Sequence, residues 1–240
     1  MPVNPTLAST AFLMADPARA AMLMALVGGQ ALPAGELAYV AGITAQTASS
    51  HLAKLLGGGL LAVETQGRHR LFRLASPEVA IALESLAAIT PVRDIRSLAP
   101  GRHARDLGFA RCCYDHLAGQ LGVAMTQALQ ARGGIEPAPD QQFLITASGQ
   151  AWLAELGLDV TQVKASRRGL ARQCLDWTER EHHLAGPLGV QLLNLLCARG
   201  WLRRVKASRA IQVTPEGWVG LKEQFGVDQQ SLETPRLPAD

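Results

Sequence analysis

Two short segments past residue 110 of the 240-residue chain carry residue types that could hold a metal or do thiol chemistry. Cys113 and His116 stand three apart in Cys113-Tyr114-Asp115-His116, a spacing that puts thiol and imidazole side by side on a helical face. Cys174 and His183 occupy duplicated positions downstream, with His182 nearby. Two Cys and two His from symmetric halves make a tetrahedral site for zinc or another soft divalent metal, which would act as an effector. The same pattern also fits buried core cysteines, a thiol redox switch or an organic-ligand site. A Cys113–His116 nucleophile–base pair is disfavoured, because residues three apart on one helix seldom point at each other. The chain has no phosphate-binding Gly-rich loop, no G-x-S-x-G elbow and no dinucleotide fingerprint, so no enzyme is expected.

These residues are positioned by an internal duplication. Cys113-Tyr114-Asp115-His116-Leu117-Ala118-Gly119-Gln120-Leu121-Gly122-Val123 has a counterpart that begins Cys174-Leu175-Asp176-Trp177. After six inserted residues, Trp177 to His182, the counterpart resumes as His183-Leu184-Ala185-Gly186-Pro187-Leu188-Gly189-Val190. Each copy runs into an apolar helix ending at Arg132-Gly133 or Arg199-Gly200, then closes with a strand, a turn and a helix carrying Trp152 or Trp218. The expectation is a duplicated, mostly helical domain over 102–228, with halves of about 110–157 and 170–227. Asp115 and Asp176 sit where they could cap helix starts. Cys112 and Cys197 have no duplicated partners and read as core, as do the equivalent Trp152 and Trp218. Trp177 has no counterpart and could line a pocket. Arg167, Arg168 and Arg172 read as one basic helix, and 229–240, with Pro235 and Pro238, reads as a loose tail.

Residues 1–92 form a different unit, set off by Thr90-Pro91 and Ala99-Pro100-Gly101. Its pattern is four helices, a hairpin and a helix, giving a fold that is mainly α with small β-hairpins. Asp16 caps a helix with Pro17 at its first position, and Gly28-Gly29 stops it. Pro33 opens a short helix with Leu37 and Val40 on its apolar side, and Gly42 closes it. Thr44 caps a helix from Ala45 to about Leu56, with Ala48, Leu52, Leu55 and Leu56 on one face. Leu60 to Glu64 and Arg70 to Leu74 read as strands around Gly67, and Ser76-Pro77 starts a helix with Val79, Leu83 and Leu86 on one side. This is a winged helix-turn-helix. Gln46, Thr47, Ser49, Ser50, His51 and Lys54 form the polar face that would enter a major groove. Arg68, His69 and Arg70 at the hairpin tip would grip the backbone or minor groove.

The unit resembles the ArsR family of winged-helix repressors over roughly residues 5–90. The resemblance rests on Ala15-Asp16-Pro17-Ala18-Arg19, Leu37-Ala38, Thr47-Ala48-Ser49-Ser50-His51-Leu52-Ala53-Lys54-Leu55, Gly59-Leu60-Leu61 and Gly67-Arg68-His69-Arg70-Leu71-Phe72-Arg73-Leu74. It implies a homodimer, paired through terminal helices, that binds double-stranded operator DNA and releases it when an effector binds. Metal-sensing members place Cys or His ligands around the reading motif. Here the first hundred residues hold no Cys and only His51 and His69, which moves any sensing site to the added C-terminal unit. A winged helix serving as a protein-interaction module is the alternative.

Composition is consistent with a globular regulator. Hydrophobic residues are 48% and charged residues 18%, and the net charge of +3 is too small to argue for nucleic acid by itself. The first hundred residues carry seven Lys/Arg and six Asp/Glu, so any positive field comes from Lys54, Arg68, Arg70 and Arg19 acting locally. No apolar run is long enough to span a membrane and no basic, apolar leader opens the chain, so a cytoplasmic protein with reduced cysteines is expected.

Overall fold

A computed structural model of the protein describes residues 5–67, 69–90 and 102–233. The chain divides into two compact units, with the division at Pro91/Val92.

The N-terminal unit runs α1 (Pro5–Met14), α2 (Pro17–Leu26), β1 (Leu32–Pro33), α3 (Ala34–Val40), α4 (Ala45–Gly57), β2 (Leu61–Gln66), β3 (His69–Leu74) and α5 (Pro77–Ile89). Local signals explain its boundaries. Asp16 accepts from the Arg19 amide at the start of α2, and Thr44 accepts from the Thr47 amide at the start of α4. Gly42, at φ +63°, makes the left-handed turn between α3 and α4. The strands form an antiparallel sheet in the order β1-β3-β2. Met22, Leu23, Leu26, Leu37, Ala48, Leu52, Leu55, Leu61, Phe72 and Leu83 close one core beneath it. Two apolar assignments are corrected: Val40 and Leu86 are exposed, and the buried face of α5 is Ala80, Leu83 and Glu84.

The C-terminal unit begins with α6 (Arg102–Phe109) and then repeats one motif of hairpin, helix, hairpin and helix. The first copy is β4 (Arg111–Cys113), β5 (His116–Ala118), α7 (Gly119–Ala131), β6 (Ile135–Ala138), β7 (Gln142–Ile145) and α8 (Ala147–Glu155). The second is β8 (Arg172–Leu175), β9 (His182–Ala185), α9 (Gly186–Ala198), β10 (Leu202–Arg204), β11 (Ile211–Val213) and α10 (Pro215–Phe225), followed by α11 (Gln229–Glu233). Thr146 caps α8 through the Gly149 amide, and Thr214 caps α10 through the Gly217 amide. The closing hairpin of each copy clasps the opening hairpin of the other. The Phe143 amide donates to Ala171 O at 3.0 Å, and its counterpart, the Ile211 amide, donates to Ala110 O at 2.9 Å. β6-β7-β8-β9 is thus one four-stranded sheet made by both copies.

Several sequence expectations change here. Each half opens with a hairpin, not a helix, so Cys113 and His116 are cross-strand partners. Arg167 and Arg168 lie in the Ser166–Gly169 turn and Arg172 in β8, not on a common helix. The tail assignment fails over its first five residues, because α11 packs Leu232 into the core.

The seam between the copies needs two glycines. A Cβ on Gly122 would meet Leu117 O at 2.7 Å, with His183 Cβ 3.7 Å away. A Cβ on Gly189 would meet Leu184 O at 2.4 Å, with His116 Cβ 3.4 Å away. Each glycine lets the first turn of a helix press on the histidine of the opposite copy. Gly189→Ala is therefore expected to cost about 1–3 kcal/mol by overpacking, read from thermal melts of the full chain. An unchanged melting curve would show that the close approach is dispensable.

Candidate metal centre and nucleic-acid interface

The two opening hairpins face each other across the seam and bring Cys113, His116, Cys174 and His183 together. One ligand atom from each residue lies within 4.8 Å of all the others. In the first hairpin Cys113 pairs with His116 across a two-residue turn of Tyr114 and Asp115, with Tyr114 at φ +60°. In the second, Cys174 pairs with His183, and the insertion forms the longer loop between Leu175 and His182. His182, the neighbour of His183, is exposed and lies outside the cluster.

Both imidazoles are turned by carboxylates. His116 Nδ1 is 3.0 Å from Asp115 Oδ1. His183 Nδ1 is 3.3 Å from Asp176 Oδ2, at ion-pair distance but not in a well-aligned hydrogen bond. The two Nε2 atoms face each other at the centre, 3.1 Å apart and hydrogen-bonded, so one imidazole donates and the other accepts; a metal ion would need both as bare acceptors, with the proton of each ring on Nδ1. A metal ion between them would take the place of the shared proton. Zinc–nitrogen bonds of about 2.0–2.1 Å at a tetrahedral angle put such nitrogens ~3.3 Å apart, close to the spacing found. Two thiols, two buried imidazoles and a carboxylate behind each imidazole fit a borderline-soft metal ion.

Without a metal the centre already favours positive charge. Burial opposes protonation of His116, but its hydrogen bonds to Asp115 and Cys113 outweigh that and push it up to about 9. The hydrogen bond to Cys174, together with burial, pushes the Cys113 thiol up to about 11. Asp176 is fully buried, which penalises its charge, yet His183, Arg111 and Thr178 hold its carboxyl well below the usual carboxylate range.

Asp176 does more than its place in the sequence suggests. In place of a helix cap within its own copy, it makes a bridge, because its Oδ2 accepts from the Gly119 amide of the other copy at 2.7 Å. Its Oδ1 accepts from Arg111 Nη2 at 2.9 Å, from Thr178 Oγ1 at 2.7 Å and from the Thr178 amide at 2.9 Å. Arg111 is buried too, with its guanidinium 5.0 Å from the Trp177 ring centroid. Trp177 therefore covers this ion pair. The signal was the insertion itself, because only a longer turn lets the second Asp point inward. Asp115, in the tight turn, is about half exposed.

In the N-terminal unit, Gln46, Thr47, Ser49, Ser50 and Lys54 lie together on the exposed face of α4. His51 does not join them. It is turned inward, with Nδ1 3.7 Å from Asp16 Oδ1, because its position on α4 faces the start of α2. Arg19 is likewise removed from any DNA-facing role. It is buried and donates to Leu13 O and Phe12 O. Arg70 is exposed on β3, with its guanidinium 5.8 Å from the Phe72 ring. Arg68 and the side chain of His69 lie outside the described residues.

Comparison with known proteins decides what kind of molecule this is. Residues 14–64 match a helix-turn-helix domain family model. Over 225 residues the chain is 42% identical to the uncharacterized HTH-type transcriptional regulator YdfF of Bacillus subtilis, covering 94% of this chain and 99% of that protein. The chain belongs to the HTH-type transcriptional regulators. The regulator is also 38% identical over 76 residues to the HTH-type transcriptional regulator CmtR of Mycobacterium tuberculosis, covering 32% of this chain and 64% of that one. Among solved structures, the cadmium metal-sensor CmtR of M. tuberculosis is similar at 30% identity and a TM-score of 0.32, covering 40% of this regulator and 98% of that chain. HlyU of Vibrio cholerae is similar at 28% identity and a TM-score of 0.33, covering 36% of this regulator and 94% of that chain. The relatives matched in sequence are regulators, in keeping with the lack of enzyme motifs. Among the described residues no helix is long and apolar enough to cross a membrane.

Proposed function

We propose that the regulator is a cytoplasmic, homodimeric repressor whose operator binding is controlled by a thiophilic divalent metal ion held by Cys113, His116, Cys174 and His183. The observation that carries this reading is the convergence of the four ligand atoms within 4.8 Å, with both imidazoles oriented from behind by Asp115 and Asp176. Zinc and cadmium suit the donor set, while magnesium and calcium, which take oxygen ligands, do not. All four protein ligands fill a tetrahedron, so the site would hold the metal rather than offer it to a substrate. Its ligands come in equal numbers from both copies, so the ion would tie the copies together. That gives a binding event a way to bias the dimer and the spacing of its reading helices. Cobalt substitution tests the centre. The full chain is expected to take up one cobalt with the strong visible bands of tetrahedral sulfur and nitrogen ligation. A pale octahedral spectrum would overturn the reading.

The DNA-facing elements are α4, with Gln46, Thr47, Ser49, Ser50 and Lys54, and the β2–β3 hairpin with Arg68, His69 and Arg70. A homodimer is supported by the apolar side chains that α1 and α5 leave exposed, namely Leu7, Phe12, Leu86 and Ile89. Lys54→Ala with Arg70→Ala is expected to weaken binding to DNA from upstream of the regulator's own gene. It should also flatten the dependence of log affinity on log salt by about 0.9 for each phosphate that is no longer neutralised. Fluorescence anisotropy across a salt series measures both. An unchanged slope would remove these two side chains from the interface.

A further inference from the structure

The four residues of the centre differ in burial. His116 and His183 are buried, whereas Cys113 and Cys174 are each half-buried. The sulfurs come from different hairpins, and the Cys113 thiol hydrogen-bonds Cys174. The other two cysteines are placed differently. Cys112 is buried, with Arg204 Nη1 donating to its sulfur at 3.1 Å, while Cys197 sits at the end of α9. The two cysteines that are in contact and only partly buried are therefore Cys113 and Cys174.

We propose that Cys113 and Cys174 are a modification site: a peroxide joins them as a reversible disulfide and thereby expels the metal. The Cys174 sulfur, which accepts from the protonated Cys113 thiol, gives up its own proton and attacks a peroxide oxygen. The O–O bond breaks, sulfenic acid forms on that sulfur, and the departing oxygen leaves as water after taking a proton. The second sulfur then attacks the first, the S–S bond forms, and the sulfenic oxygen departs as a second water. Two thiols and one hydrogen peroxide give one disulfide and two waters, with the two electrons lost by sulfur reducing the peroxide. The disulfide removes both thiolate ligands and leaves only two imidazoles, so metal and disulfide exclude each other. The link between oxidation and metal release rests on the proposed metal centre, whereas the disulfide rests on the placement of the two thiols alone.

The experiment treats the full chain with hydrogen peroxide in zinc-loaded and chelator-stripped form. Remaining thiols are alkylated, the chain is digested without reduction, and the peptides are read by mass spectrometry while a chromogenic chelator follows zinc. The expected result is a Cys113–Cys174 cross-link in both forms, with two thiols lost per chain and recovered on adding dithiothreitol. In the loaded form, zinc leaves in step with the cross-link. Cys112→Ser keeps the cross-link and Cys174→Ser loses it. Sulfinic acid without a cross-link, or a disulfide that instead uses Cys112 or Cys197, would overturn the proposal. A chain that never binds zinc but forms the Cys113–Cys174 bond would overturn only the metal reading. A chain that binds zinc and never forms the bond would overturn only this one.

Discussion

Replacing Cys113 and Cys174 together by serine is expected to take the full chain from one tightly held zinc to none. In the proposed centre two thiolates would supply the charge and softness, and a serine hydroxyl at neutral pH is neither anionic nor soft. What remains is a pair of imidazoles whose Nε2 atoms are 3.1 Å apart, too few ligands to hold a divalent ion. Changes that only disturb the groups orienting a ligand cost about 10–100-fold in metal affinity. Removing two of four ligands should exceed the upper end of that range. Zinc content after dialysis against a buffered free-metal series reads the loss, and far-ultraviolet circular dichroism checks that both hairpins still fold. Serine lacks only a polarisable atom at half-buried positions, so the fold is expected to survive. Full zinc retention by the double variant would remove the cysteines from the centre.

The second large effect lies behind the centre. Arg111→Leu is expected to destabilise the C-terminal unit by about 3–5 kcal/mol, the cost of breaking a buried ion pair by removing one partner. Arg111 and Asp176 are both buried, with Nη2 and Oδ1 2.9 Å apart. Arg111 also donates to Leu107 O and to Thr178 Oγ1. Leucine would leave the buried Asp176 carboxylate without its guanidinium partner, charged or forced to take up a proton. The double variant Arg111→Leu with Asp176→Leu removes both charges, and its cost should be well below the sum of the singles. Urea unfolding of all four chains yields the coupling. A loss under about 1 kcal/mol for Arg111→Leu would mean that the pair is more solvated than its burial indicates.

What the sequence disclosed depended on how local the determining interaction is. Asp16-Pro17 and Thr44 mark helix starts through contacts three residues away, and both helices begin where those residues place them. The duplication was legible because it repeats residue types in order. The Cys-x-x-His spacing was not decisive, because three residues apart describes both neighbours on a helix and partners across a two-residue turn. The turn residue in the left-handed conformation is Tyr114, not Gly or Asn, so the usual hairpin signal was missing. The pairing of the copies still brought the same four ligands together. His51 and Arg19 lie in segments that read as polar and basic, and only tertiary packing against Asp16, Phe12 and Leu13 takes them off the exposed surface. Leu86 fits an apolar stripe by its spacing. It lies outside the core of its own unit, where a second chain can cover it.

Operator affinity with and without zinc tests the proposed regulation most directly. Fluorescence anisotropy of the full chain on DNA from upstream of its own gene would be compared with that of the Cys113→Ser, Cys174→Ser double variant, at fixed salt. Coupling between two sites in one protein typically changes affinity by about 5–150-fold. A zinc-dependent loss of that order is expected in the wild type, with DNA binding in the double variant that zinc does not alter. Equal wild-type affinity in the presence and absence of zinc would contradict metal control, and the Cys/His centre would then have no part in regulation.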